Sequence, residues 1–193
     1  MEESQKRGIE CMASGKDVAP SVQTHITDEM RALAGREMLR WVSFPVSSSD
    51  IRRWAIAVYY PECPPRRFWD AEVAGVSRHG GIVAPEDFNP FAWMVAEPKG
   101  QSTTAAVANN PDAIENGLRA AGPGLKHALN GGIQITYGVP MRPGDVITSV
   151  VTLSEYRERP GSLGLMLFTS IKTVWTNQNG EMVKTGLSTV IRY

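Results

Sequence analysis

Cysteine is almost missing from this chain: Cys11 and Cys63 are the two among 193 residues. With no CxxC pair and no Cys/His ligand spacing, neither a disulfide framework nor a zinc site is expected, no metal or cofactor is implied, and a reducing cytoplasm fits best. Histidine is nearly as scarce, confined to His25, His79 and His127. Net charge is absent too, because 20 basic residues balance 20 acidic ones. A neutral chain gives no electrostatic reason to expect nucleic acid or an anionic membrane as partner. No stretch approaches the roughly 20 apolar residues of a membrane span. Residues 1–23 mix charges of both signs without an apolar run, so they are no signal peptide and are expected to be mobile. There is no G-x-S-x-G elbow, Gly122-Pro123-Gly124 lacks the spacing and lysine of a phosphate loop, and no solenoid period recurs.

What the chain does have is 42% hydrophobic composition, enough for one sizeable core and too little length for two. Its last third alternates. Ile133, Ile135, Tyr137 and Val139 lie two apart with polar residues or glycine between them, the pattern of a half-buried strand beginning near Gly131. Arg142-Pro143-Gly144-Asp145 turns the chain into Val146 to Tyr156, Pro160-Gly161 into Leu163 to Thr176, and Asn177-Gln178-Asn179-Gly180 into a strand whose Val183, Leu187 and Ile191 share a side with Thr185 and Thr189. Four consecutive strands joined by short turns predict an antiparallel meander.

Upstream, Thr27 is an N-cap for a short peripheral helix reaching about Glu37, and Leu39 to Val46 reads as a strand whose end, at Pro45, lies at an edge. Residues 1–38 thus form a tail and a short helix ahead of a domain at 39–193. Ser47-Ser48-Ser49-Asp50 is an S-x-x-D box opening a helix with Ile51, Trp54, Ala55 and Val58 on one face, stopped before Pro61. Pro85-Glu86-Asp87 has the chemistry of another helix start, and Phe88, Phe91, Ala92 and Val95 continue at helical spacing, so a buried apolar helix is expected there. Gly100 to Gly124 reads as a long loop with a short helix near Asp112 to Ala120, either a surface insertion or a lid over a pocket. The pairs Arg52-Arg53 and Arg66-Arg67 can meet the phosphates of a nucleotide-bearing substrate or stand solvated.

A buried helix followed by antiparallel strands is the order of an α+β hot-dog domain, a curved sheet wrapping a central helix. Ser49-Asp50-Ile51-Arg52-Arg53-Trp54-Ala55, Gly81-Ile82-Val83-Ala84-Pro85 and Arg142-Pro143-Gly144-Asp145-Val146, followed by Thr176-Asn177-Gln178-Asn179-Gly180, resemble in order and spacing the N-terminal type of MaoC-like dehydratase domain. The resemblance covers Leu39 to Tyr193. It implies action on acyl-CoA or acyl-carrier-protein thioesters in fatty-acid metabolism, adding water to trans-2-enoyl substrates or removing it from (R)-3-hydroxyacyl ones. Active members carry D-x-N-P-[LIV]-H, whose Asp/His pair activates water at the β-carbon and delivers a proton to the α-carbon. Here Asp87-Phe88-Asn89-Pro90-Phe91-Ala92 ends in alanine, and the counterpart position after the Ile51 helix, Tyr60-Pro61-Glu62-Cys63-Pro64-Pro65, has neither aspartate nor histidine.

Three functions follow from this pattern. The favoured one is a subunit of an (R)-specific enoyl-thioester hydratase or dehydratase, the half that accommodates the acyl chain and is inactive alone. The resemblance implies such a division of labour, with a partner subunit supplying the Asp/His pair and this half widened to hold the acyl group. The second is a self-sufficient homodimeric hydratase or thioesterase that uses Glu86 or Asp87 as base, with His79 as a further candidate. The third is an acyl or lipid binder without activity. Phe88, Asn89, Phe91 and Trp93 are the expected substrate-contacting residues, and a homodimer or hetero-oligomer is expected because a hot-dog sheet leaves an edge strand to pair.

Overall fold

The computed structural model describes residues 24–94 and 110–193; the expectations placed on residues 1–23, on Val95 and on 100–109 fall outside the described residues. The chain runs through α1 (Asp28–Leu33), β1 (Glu37–Val42), α2 (Ser48–Tyr59), a 3₁₀ turn (Arg66–Phe68), α3 (Ala71–Gly75), α4 (Ala113–Gly117), β2 (Ala128–Tyr137), β3 (Thr148–Gly161), β4 (Gly164–Thr176) and β5 (Met182–Arg192). All strands belong to one antiparallel sheet in the order β1-β3-β4-β5-β2. This is the hot-dog architecture. Only β3, β4 and β5 make a meander; β2 does not pair with β3 but crosses to the far edge beside β5. Turn residues show that the chain reverses between Tyr137 and Thr148, not which neighbour the strand takes.

The helix held against the sheet is α2. Ser47 caps it, its hydroxyl accepting from the Asp50 N–H at 3.0 Å, and Tyr60-Pro61 ends it as expected. Ile51 and Ala55 are fully buried in a core shared with Ile147, Val183, Phe88 and Phe91. Trp41 and Trp175 sandwich Phe91 edge-on, and Trp54 meets Phe88 the same way.

The helix expected from Pro85 is not there. Residues 85–94 run instead as successive tight turns, with Phe88 N–H bonded to Pro85 O and Ala92 N–H to Asn89 O. Pro90 explains the difference: it donates no N–H and disfavours the helical conformation at Asn89, whose side chain instead accepts from the Phe91 N–H at 3.0 Å. Phe88 and Phe91 reach the core all the same.

A second core fills the other end of the same sheet face, where Leu33 of α1 and Ile114 and Leu118 around α4 pack on Leu153, Ile171 and Val190. The first helix is therefore not peripheral. It also stops at Leu33, short of Glu37, with Met30 and Leu33 buried. The expected short helix after Asp112 is α4, tied down by a fully buried ion pair: both terminal guanidinium nitrogens of Arg192 bond the Glu115 carboxylate at 2.8 Å, and Thr169, Pro111 O and the Tyr156 hydroxyl complete the network. The network lies on the inner face of β5, where Val190 and Arg192 point inward while Leu187 is exposed; of the row Val183, Leu187 and Ile191, Val183 is buried. On β2, Ile133 is 65% exposed, and Ile135 and Tyr137 are also exposed, because the strand is an edge. No helix among the described residues is long and apolar enough to cross a membrane.

Candidate functional site

A cleft of about 430 Å³ opens where the C-terminal end of α2, the 77–87 segment, the chain leaving β2 and the start of β5 meet. Its apolar wall comes from Val58, Tyr59, Phe68, Val83, Met141 and Val183, and its polar groups from Arg67, Arg78, His79, Glu86, Asp87, Tyr137 and Lys184. These elements lie far apart in sequence, and the motif residues hold them together. Gly144, at φ +93°, turns the chain so that Asp145 accepts from the Arg142 N–H at 2.7 Å and from the Gln178 amide at 3.0 Å, locking the two turns to each other. Val146 N–H donates to the Gln178 side-chain Oε1 at 3.0 Å. From that anchored turn the Arg142 guanidinium donates to His79 O at 2.7 Å, and Ala84 N–H to Met141 O at 2.9 Å. The 79–84 segment is thereby pinned over the cleft. Gly138 lets the chain press against β5, where a Cβ would run into the Met182 carbonyl oxygen.

Three sequence candidates, His79, Glu86 and Asp87, line this one cleft. The four expected substrate-contacting residues do not: Phe88 and Phe91 are core side chains, Asn89 closes a turn, and Trp93 is 45% exposed away from the cleft lining. Asp87 is held by Tyr137, whose hydroxyl donates to Oδ1 at 2.7 Å. That hydrogen bond, then burial, then the charges of Asp87 and Glu86 push the Tyr137 phenol up to about 12, so it stays a neutral donor. His79 Nε2 faces the Arg78 Nε at 3.0 Å and acts as the acceptor. His25 and His127 lie elsewhere, against Leu165 O and the Tyr193 ring.

Sequence reasoning missed Tyr137, Arg78 and Lys184. Tyr137 sat inside an apolar row, and only its hydroxyl marked it as a residue with one wet end. Lys184 carries its ammonium 4.9 Å from the Trp175 ring centroid and 5.4 Å from that of Tyr137. Arg67 was noticed as half of a basic pair, and the two halves differ: Arg66 bonds Asp70, whereas Arg67 lies 4.6 Å from the Phe68 ring centroid in the cleft lining. Among the described residues no group of three or more His, Cys, Asp or Glu side chains is placed to hold a metal.

A family model described as "FAS1-like, dehydratase domain region" matches residues 32–186. No curated protein matches the chain in sequence. Among solved structures it is similar to the ChsH1-ChsH2 complex from Mycobacterium tuberculosis, with 17% identity and a TM-score of 0.60 over 84% of this chain and 86% of that one. It is also similar to a MaoC-like dehydratase at 22% identity and TM-score 0.53, spanning 84% of this chain but 42% of the other. The HadBC (3R-hydroxyacyl-ACP dehydratase) complex of Mycobacterium tuberculosis, truncated at its C terminus, matches at 19% identity and TM-score 0.50, over 82% and 96%. With the family model covering most of its length and these structures similar to it in fold, the chain belongs to the FAS1-like dehydratase family and folds as a MaoC-like hot-dog domain.

Proposed function

We propose that this chain is the acyl-accommodating subunit of an (R)-specific enoyl-thioester hydratase or 3-hydroxyacyl-thioester dehydratase, its catalytic Asp/His pair supplied by a MaoC-like partner. The observation carrying this reading is the segment after α2: residues 60–65 offer one carboxylate, the exposed Glu62, and no imidazole, where active relatives carry both members of the pair. The one aspartate in the cleft lining is engaged by Tyr137. An apolar wall suits an acyl chain, which contributes about 0.8 kcal/mol per buried methylene without any catalytic group. The exposed edge of β2, with its apolar row, suits a partner hot-dog, and two of the similar structures are complexes of two proteins. Cys63 is free and exposed, which fits a reducing cytoplasm.

In the reaction, water adds its oxygen at the β-carbon of the enoyl thioester and its proton ends at the α-carbon. A positioned acid–base group contributes about 10²- to 10⁴-fold to such a step, so the pure chain should turn over crotonyl-CoA and longer trans-2-enoyl-CoA negligibly. Adding a partner that carries D-x-N-P-[LIV]-H should restore strong turnover. A second reading, the self-sufficient hydratase or thioesterase, is favoured by the convergence of His79, Glu86 and Asp87 on one cleft. Robust hydration or hydrolysis by the pure chain, abolished by Asp87→Asn or Glu86→Gln without unfolding, selects it and rejects the partner-dependent subunit.

A further inference from the structure

The hydrogen bonds of the cleft have a direction. Tyr137 carries one hydroxyl proton, and it is given to Asp87 Oδ1 at 2.7 Å. Because the phenol titrates only at about 12, that proton stays on its oxygen at ordinary pH. What Tyr137 turns to a ligand is therefore a lone pair, and among the described residues no group donates to it. Lys184 meets the Tyr137 ring face, 5.4 Å from its centroid, and makes no hydrogen bond to the hydroxyl. The carboxylates of Asp87 and Glu86, both exposed in the same lining, can only accept as well. This corner of the cleft thus offers acceptors, in one lining with the apolar Val83, Met141 and Val183. A ligand group that suits both is a hydrogen-bond donor carried on a hydrocarbon chain.

We propose that Tyr137, held by Asp87, reads a hydroxyl: its oxygen accepts the hydrogen bond of the 3-hydroxyl group of a 3-hydroxyacyl thioester. This rests on the thioester reading above and adds to it the residue by which this subunit tells the hydrated ligand from the dehydrated one. The two sides of that reaction differ in this respect, since the 3-hydroxyacyl thioester has an O–H on its β-carbon and the enoyl thioester has no donor there. Donating to a carboxylate polarises the phenol and makes its oxygen the better acceptor. A 3-oxo group of the same size sets lone pair against lone pair and leaves both unpaired. Amide N–H groups of the carrier arm are donors too, but they are the same in every thioester and discriminate nothing.

The test is calorimetric titration of the full chain at neutral pH with (R)-3-hydroxybutyryl-CoA, butyryl-CoA and acetoacetyl-CoA. The hydroxyacyl ligand should bind about fivefold tighter than butyryl-CoA, the worth of one hydrogen bond of about 1 kcal/mol, and acetoacetyl-CoA no tighter than butyryl-CoA. Tyr137→Phe, at a residue 38% exposed, should abolish the hydroxyl preference and leave butyryl-CoA affinity unchanged, which also shows that the variant is folded. Equal binding of the hydroxyacyl and butyryl ligands by the unaltered chain overturns the proposal, as does acetoacetyl-CoA binding as tightly as the hydroxyacyl ligand. A preference that survives Tyr137→Phe overturns the assignment to Tyr137, and a chain that binds none of the three has no such site. The hydratase reading is judged separately, by crotonyl-CoA hydration with a partner carrying D-x-N-P-[LIV]-H. Turnover without a hydroxyl preference leaves that reading standing and removes the site; a Tyr137-dependent preference without turnover by any partner does the reverse.

Discussion

Replacing Glu115 by alanine should be the most damaging single change outside the apolar core. Glu115 and Arg192 are both 0% exposed, and the carboxylate receives two guanidinium bonds at 2.8 Å and the Tyr156 hydroxyl at 2.7 Å. Burial, and then that hydrogen bond, raise the Tyr156 phenol above its ordinary range, so it donates as a neutral group. Truncation leaves a guanidinium in the core with only Thr169 and Pro111 O as partners, and its Nε already has none among the described residues. Breaking a buried pair on one side costs about 3–5 kcal/mol. Against a typical total of about 5–15 kcal/mol this is a large share, and it corresponds to roughly 6–20 °C in melting temperature for a chain of this size.

The same substitution frees α4, which at five residues is too short to hold itself helical and lies over Leu153, Ile171 and Val190 by virtue of Ile114, Leu118 and the ion pair. Urea unfolding followed by tryptophan fluorescence and circular dichroism measures the loss. The double variant Glu115→Leu/Arg192→Met should recover part of it, because two apolar groups leave no uncompensated charge, although the hydroxyls of Tyr156 and Thr169 lose their partners. A single-variant loss under about 1 kcal/mol, or a double variant no better than the single one, would refute the claim that the pair is what makes the burial of Arg192 tolerable.

Two smaller effects follow from individual hydrogen bonds. Ser47→Ala removes the acceptor of the Asp50 N–H and should lower stability by about 0.5–2 kcal/mol, seen as a lower urea midpoint at unchanged slope. Tyr137 should titrate at about 12 by ultraviolet absorbance, and Asp87→Asn should return it toward the ordinary value of about 10. Because the folded value is the raised one, the associated stability is present below the unfolded value near 10 and lost as pH rises toward 12.

How much of this was legible in the sequence depends on whether the information was local. The cap and spacing of α2, the Arg142-Pro143-Gly144-Asp145 turn and the Asn177-Gln178-Asn179-Gly180 turn are local, and each lies where its residues place it. The Pro85 helix failed on a local feature that was read incompletely: the capping chemistry of Pro85-Glu86-Asp87 is real, but Pro90 interrupts the backbone bonds before a second turn can close. Two alternating faces on a strand are legible; which of them is buried is not, because the partner strand decides it. Ile133, Ile135 and Tyr137 alternate as a core strand would, yet β2 ends as an edge.

The β5 strand shows why apolarity misleads at such a position. Counting methyl groups favours Leu187 and Ile191 as the inner row, and the sheet instead buries Val190 and Arg192. Register forces that choice, since Leu167, Thr169 and Ile171 of β4 face inward and stand opposite Arg192, Val190 and Ser188. A charge placed inward by register needs a counter-charge, and Glu115, 77 residues earlier in a segment with no strong pattern of its own, supplies it. The cleft follows the same logic at the other end of the sheet. His79, Glu86 and Asp87 were visible as chemically able residues, whereas Tyr137, Arg78 and Lys184 gained meaning only when β2 crossed to the edge beside β5 and brought a phenol and an ammonium to the 77–87 segment.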